Sequence, residues 1–260
     1  MNNHVQEQFK KSYIFEDPNN PRLVKMLADY KLKEVIAPGT SELDQLFLLS
    51  TWVFNWIARF GKPTMQTEEA VTILENAHDN LFYCSHYVAV FVAAATGLGW
   101  QARAISQAIQ ETDYRGSYHN VVEVWSRQFN RWIFIDPTHN NVFTRDGIPL
   151  NCYEIGRDWF RHKGANLLIV MGQEKKEYTV KDFPLIVREF FHKDGQVGIM
   201  DKGMDKFAIH AWPPTNCYLK PDEKRTMERW DDWDAPIIIN GFDNNWEDKW
   251  EELAPYYKNE

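Results

Sequence analysis

Cysteine is scarce in this 260-residue sequence: Cys84, Cys152 and Cys217 are the only three, and no two stand at metal-ligand spacing. That excludes a disulfide scaffold and a zinc ribbon. No stretch approaches the roughly 18 to 20 unbroken apolar residues of a membrane-spanning helix, and the opening MNNHVQEQFKKSYIFEDP lacks the apolar run of a signal peptide. The chain as given is therefore expected to be soluble and cytoplasmic, or secreted or periplasmic where a leader has been removed. Positive charge is also short. Lys and Arg number 29 against 37 Asp and Glu, a net charge of -8, the wrong sign for neutralising nucleic-acid phosphates or an anionic membrane surface. Internal repeats and low-complexity segments are missing, which argues against a solenoid. Aromatic residues are plentiful, with 11 Trp, 11 Tyr and 16 Phe, and suit either a bulky core or faces that stack on flat or sugar-like ligands.

At about 150 residues per domain the length predicts one large domain with an appendage. Asp17-Pro18, Pro21 and Pro38-Gly39 punctuate a lead-in over residues 1–40, around a short amphipathic run from Leu23 to Leu32. From Ser41 apolar residues recur at helical steps (Leu43, Leu46, Phe47, Val53, Phe54, Ile57) behind a Ser41 cap with Asp44 three later, and Gly61-Lys62-Pro63 is expected to end that helix. A second helix is predicted from Thr67 to about Ala77. A third opens near Cys84 in CSHYVAVFVAAATGLG, so apolar all round that it must be buried, and is stopped by Gly97 and Gly99. The period then changes to two in WQARAIS, HNVVEVWS and RWIFIDP, with NLLIVMG a fourth candidate strand. Helices first and antiparallel strands afterwards predict an α+β fold, with the Cys84 helix packed on the sheet. The expected division is a lead-in over 1–40, a main domain over 41–178, and a Trp- and Asp-rich extension over 179–260, with residues 181–192 read as helical.

Three residues carry the chemistry. A thiol at the first turn of a helix lies where unpaired N–H groups and the helix dipole favour an anion, which makes Cys84 a candidate nucleophile. Such a nucleophile needs a base and a group to orient the base. A hairpin of SYHNVVEVWSRQFNRWIFIDP with Ser126 to Phe129 as its connection sets His119 directly opposite Asp136 on one face.

Cys84 opening an apolar helix, GLGWQARAIS as the next strand, HNVVEVW with His119 and RWIFIDP with Asp136 together resemble the transglutaminase-like superfamily, the papain-related fold of transglutaminases, microbial cysteine peptidases and peptide N-glycanases. The resemblance covers roughly residues 45 to 172. It implies that Cys84 is the nucleophile, His119 the base and then the acid, and Asp136 its orienter, acting on an amide carbonyl through a thioester, with neither metal nor cofactor. PLNCYEIG is also similar to the segment after the catalytic Asp in peptide N-glycanases, whereas the paired CxxC motifs of those enzymes are absent, and Phe82-Tyr83 stands where the family often has Gly. For the oxyanion hole the Cys84 backbone N–H is the natural first donor. Asn80 or His78 is expected to add a side chain from upstream, and Tyr83 and Tyr118 are further oxyanion or substrate candidates.

The remaining candidates take plainer readings. Cys152 and Cys217 are expected to be inert core thiols. His86 is assigned to packing or to supporting the groups around Cys84, His139 to a solvent-facing turn, and Glu123, on the strand face of His119, to exposure rather than to tuning the site. Trp212, Trp230, Trp233, Trp246 and Trp250 are read as anchors of an acidic flank, since no stretch around them matches a calcium loop. The expected function is a cysteine-dependent hydrolase or acyltransferase on amide bonds of a peptide, protein or glycopeptide, with hydrolysis favoured over transamidation. The alternatives are a peptide N-glycanase-like or other glycan-linked amidase, and a catalytically idle carbohydrate- or protein-binding module.

Overall fold

A computed structural model describes residues 13–63, 65, 67, 69–109, 118–152, 154, 155, 158, 162, 164–179, 207–211 and 217–219. The helix read over 181–192 and the tail tryptophans lie outside the described residues, as do the side chains of Tyr118 and Cys217. In chain order the elements are β1 (Tyr13–Phe15), α1 (Pro21–Asp29), α2 (Leu32–Ile36), α3 (Glu42–Ile57), α4 (Ala70–Glu75), α5 (Cys84–Gly97), β2 (Ala102–Ile109), β3 (Tyr118–Ser126), β4 (Arg131–Ile135), β5 (Asn141–Arg145), β6 (Ile148–Pro149), β7 (Leu168–Met171), β8 (Lys176–Thr179), β9 (Phe207–Ala211) and β10 (Cys217–Leu219).

Local chemistry explains where the helices begin and end. Ser41 and Asp44 close a reciprocal capping box at the start of α3, the Ser41 hydroxyl accepting from the Asp44 N–H and the Asp44 carboxylate accepting from the Ser41 N–H. That helix stops at Ile57, four residues before the expected Gly61, because Ala58 turns into the left-handed region at φ 46°. The second predicted helix starts at Ala70 rather than Thr67, since the Glu69 carboxylate takes the N–H groups of Val71 and Thr72 as its N-cap. Gly99, at φ 93°, supplies the positive-φ residue after the end of α5, where Trp100 N–H returns to the Ala95 carbonyl.

Helix α5 is buried along nearly its whole length and packs against α1, α3, α4, β2 and β3. Its apolar side chains join Leu46, Leu49, Val53 and Ile57 of α3 and Ala102, Val122, Val124, Ile133 and Ile135 of the sheet in one core. Each large aliphatic side chain removed from water there contributes about 1.5–3 kcal/mol. Leu23, Met26 and Leu27 of α1 belong to the same core.

Two four-stranded antiparallel sheets follow, in the orders β4-β3-β2-β9 and β6-β5-β7-β8. They meet at a corner: Asp136 and Asn141 exchange main-chain hydrogen bonds of 2.9 and 3.1 Å, and Phe134 N–H reaches the Leu150 carbonyl at 2.7 Å. Described residues of the first sheet are buried on both faces: Ile105, Val121, Glu123 and Phe134 on the side away from α5 are at most 1% exposed, and Phe134 packs edge-on to Phe143 of β5. The class is α+β, as the pattern of periods implies.

Glu42 ties helices to strands. Its carboxylate accepts from Trp100 Nε1 at 3.0 Å, Ser126 Oγ at 2.5 Å, Arg127 N at 3.2 Å and Gln128 N at 2.9 Å, so the start of α3 holds the turn between β3 and β4. Burial raises the Glu42 carboxyl, but these donors outweigh it and leave its pKa below the ordinary value.

Candidate active site

Cys84 is the first residue of α5, after an extended Tyr83 at φ -85° and ψ 170°. The approach to it is fixed by main-chain bonds, with Gly61 N–H on the Phe82 carbonyl and Phe82 N–H on the Arg59 carbonyl, each at 3.1 Å. His86, read as packing, also has a capping role: its Nδ1 accepts the Tyr83 N–H at 3.2 Å. Burial lowers the His86 pKa, which keeps the ring in the neutral form that an acceptor needs. Cys84 itself is 5% exposed.

The imidazole and the carboxylate come from the sheet corner. His119, at the second position of β3, and Asp136, just past β4, meet with 2.7 Å between Nε2 and Oδ2. The hairpin register differs from the expected one by two residues: Val122 faces Ile135 and Ser126 faces Arg131, so the connection is 127–130 and His119 is not directly opposite Asp136. A left-handed Asn130, at φ 52°, completes that turn. A displacement of two preserves the faces of the strands, and the pair still meets diagonally; a displacement of one would have separated them.

Asp136 is fully buried and fully engaged. Its Oδ1 accepts from the N–H groups of Thr138 at 2.9 Å and His139 at 3.2 Å, and its Oδ2 takes His139 Nδ1 at 2.6 Å besides His119. Burial alone would raise this carboxyl, but the two imidazoles hold it well below the ordinary carboxylate range. Burial likewise opposes charge on His119, yet the Asp136 carboxylate and a hydrogen bond with Cys84 push its pKa up to about 10. With Nε2 on Asp136, Nδ1 is the ring nitrogen left for the hydrogen bond with Cys84.

A fourth group reaches the sulfur. Asn120 directs both its backbone N–H, at 3.4 Å, and its side-chain Nδ2, at 3.6 Å, to Cys84 Sγ. Of the upstream candidates, Asn80 Nδ2 donates to the Asn76 carbonyl at 3.1 Å, and exposed His78 packs its ring against Trp56 at 5.8 Å. Tyr83 is 43% exposed beside the nucleophile, and Tyr118 pairs through its backbone with Ala108.

Two plain readings are corrected. His139 is 7% exposed rather than solvent-facing, because the Asp136–Asn141 bridge folds its turn inward and Asp136 captures its ring. Glu123 is 0% exposed: it pairs with Arg103, with 2.9 Å between Oε2 and Nε, and accepts Cys152 N–H at 2.8 Å, while the Arg103 guanidinium lies 4.1 Å over the Trp132 ring. Cys152 is buried as expected, and burial next to Glu123 raises its thiol pKa well above the ordinary 9.0. Among the described residues, ligating atoms of His119, Asp136 and His139 lie within 4.8 Å of one another, near enough to share an ion. Both ring nitrogens already stand at hydrogen-bond distance from one carboxylate oxygen.

Sequence reasoning missed Asn120 and His139. The signal for Asn120 was its parity with Val122 and Val124, which places an amide on the strand face turned to α5. For His139 it was a polar turn beside a buried carboxylate. Among the described residues no helix is long and apolar enough to cross a membrane.

Comparison with the curated proteins finds no match. A structural neighbour is the crystal structure of a putative cysteine protease from Cytophaga hutchinsonii, 12% identical, with a TM-score of 0.36 over 53% of this chain and 43% of that chain. The match thus spans less than half of the neighbour's length. Residues 30–137, which hold Cys84, His119 and Asp136, match the family model of the transglutaminase-like superfamily.

Proposed function

We propose that the protein is a cysteine-dependent hydrolase or acyltransferase acting on amide bonds of a peptide or peptide-like substrate. The observation that carries this reading is the 2.7 Å contact of His119 Nε2 with buried Asp136, the same imidazole being hydrogen-bonded to Cys84 at the first turn of α5. His119 takes the thiol proton, and the sulfur attacks the carbonyl carbon. The C=O pair moves onto oxygen as the S–C bond forms. On collapse the C–N bond breaks, and the proton held by His119 goes to the leaving amine. The thioester then passes its acyl group to water, activated by His119, or to a second amine. Asp136 keeps the ring oriented and stabilises its charged form without taking the proton.

The test is mass spectrometry of Cys84 after incubation with peptide and glycopeptide libraries. An acyl adduct on Cys84, absent from Cys84→Ala and lengthened in lifetime when acceptors are removed, is expected. Folded wild-type protein that turns over amides equally well as Cys84→Ala would end the reading. One observation favours a second reading: at 5% exposure the Cys84 residue is largely covered, as a retained but idle triad in a binding module would be. In that case no adduct forms, and glycan or peptide binding is the same in wild type and Cys84→Ala.

A further inference from the structure

Both donors of Asn120 already point at the reacting sulfur, the backbone N–H at 3.4 Å and Nδ2 at 3.6 Å. The residue is 6% exposed, and its Oδ1 has no hydrogen-bond partner among the described residues. A buried carboxamide with one end unsatisfied is unfavourable for the fold, and such groups concentrate where a site needs them. Asn80, the donor anticipated from upstream, spends an N–H on the Asn76 carbonyl.

We infer that Asn120 is a catalytic residue whose Nδ2 donates to the oxygen of the tetrahedral adduct formed at Cys84, alongside the Cys84 backbone N–H. This rests on Cys84 being the nucleophile, as proposed above. When sulfur bonds to the carbonyl carbon, the oxygen that gains the electron pair sits two bonds from the sulfur. A donor within reach of the sulfur is therefore within reach of that oxygen after a small swing of the side chain. As the adduct forms, the sulfur loses its negative charge and the oxygen acquires it, so the same N–H finds a stronger acceptor in the transition state than in the resting enzyme. That difference, not ground-state binding, accelerates the step. The idle Oδ1 of Asn120 is then available to accept an N–H of the bound amide, which would orient the carboxamide with Nδ2 toward the oxygen.

The experiment compares two reactions of the same sulfur. Acylation by p-nitrophenyl acetate passes through an oxyanion, whereas alkylation by iodoacetamide displaces iodide at a saturated carbon and makes none. Rates of both are measured at Cys84 by peptide mapping in wild type, Asn120→Ala and the near-isosteric Asn120→Asp, with p-nitrophenol release from Cys84→Ala as the background for total acylation and folding followed by circular dichroism. Loss of one oxyanion donor is expected to slow acylation about 100- to 1,000-fold, while alkylation falls less than about tenfold. Equal losses in both reactions, or acylation within about threefold of wild type, would overturn the role of Asn120. If wild-type protein acylates no faster than Cys84→Ala, the nucleophile itself is misassigned, and the assignment of Asn120 falls with it.

Discussion

His139 Nδ1 stands 2.6 Å from Asp136 Oδ2, the same oxygen that His119 Nε2 approaches to 2.7 Å. The carboxylate that orients the candidate base is thus itself held by a second imidazole, whose ring meets the first edge-on at 4.8 Å between centroids. His139 is a positioning residue in this arrangement. Replacing it with Phe keeps a ring in the space but leaves the buried carboxylate one donor short, which costs about 1–3 kcal/mol. Urea unfolding should register that loss, the acylation rate at Cys84 should drop, and His139→Gln, which restores an N–H, should recover most of both. A Phe variant as stable and as reactive as wild type would contradict the role.

The His119–Asp136 pair sets a pH window for stability. The folded His119 pKa lies near 10 against an ordinary 6.5, so its contribution is complete below 6.5 and disappears as pH rises toward 10. Asp136 is shifted the other way: its contribution is present above the ordinary 3.8 and is lost on acidification below it. Melting temperatures should therefore fall from pH 6.5 to 10, and His119→Gln should flatten this alkaline decline. A variant whose decline matches that of wild type would dissociate the pair from stability.

Arg103 and Glu123 form a buried ion pair at 7% and 0% exposure, stacked on Trp132 and bonded to Cys152 N–H. Removing one partner strands a charge where water cannot reach it, so Arg103→Met is expected to destabilise by about 3–5 kcal/mol. The double variant Arg103→Met with Glu123→Leu should be less destabilised than either single change. Chemical denaturation of the three variants forms a cycle, and strict additivity would show that the pair is not coupled.

Glu42 binds four donors from the Trp100 side chain and the β3–β4 turn. Hydrogen bonds to a charged acceptor are each worth about 1.5–3 kcal/mol, and solvent at this half-buried position reduces the sum. Glu42→Ala should lower stability by about 2–3 kcal/mol overall. Hydrogen exchange should show the turn amides of Arg127 and Gln128 losing protection first. Unchanged exchange at those amides would mean the carboxylate does not hold the turn.

Cys152 offers an internal control for thiol reactivity. Burial beside Glu123 raises its pKa and encloses it, so native protein treated with iodoacetamide at pH 7 should carry label on Cys84 well before Cys152. Equal labelling of these two residues in folded protein would count against a distinct role for Cys84.

Much of the helical part was legible because its signals are local. The Ser41–Asp44 box, the apolar circumference of α5 and the glycines behind it depend on residues within a few turns of one another. Ends were less legible: a carboxylate at Glu69 and a left-handed Ala58 set boundaries that propensity alone does not reveal. Short strands such as β5 and β8 carry too few alternating residues to announce themselves. At the candidate site, order along the chain placed Cys84 at a helix start and His119 and Asp136 on neighbouring strands. The hairpin register was misjudged by two residues, since a four-residue connection can begin at either Ser126 or Arg127 and only the finished sheet selects one.

The sequence by itself determined the α+β class and the burial of the Cys84 helix, because periodicity and apolar runs express short-range physics that needs no partner. Tertiary structure decided that His139 turns inward to Asp136, that Glu123 is buried on Arg103, and that Asn120 aims two donors at the sulfur. Those outcomes depend on sheet register and on a corner between two sheets, where residues distant along the chain exclude water from one another and polar groups must find partners among whatever the fold brings near.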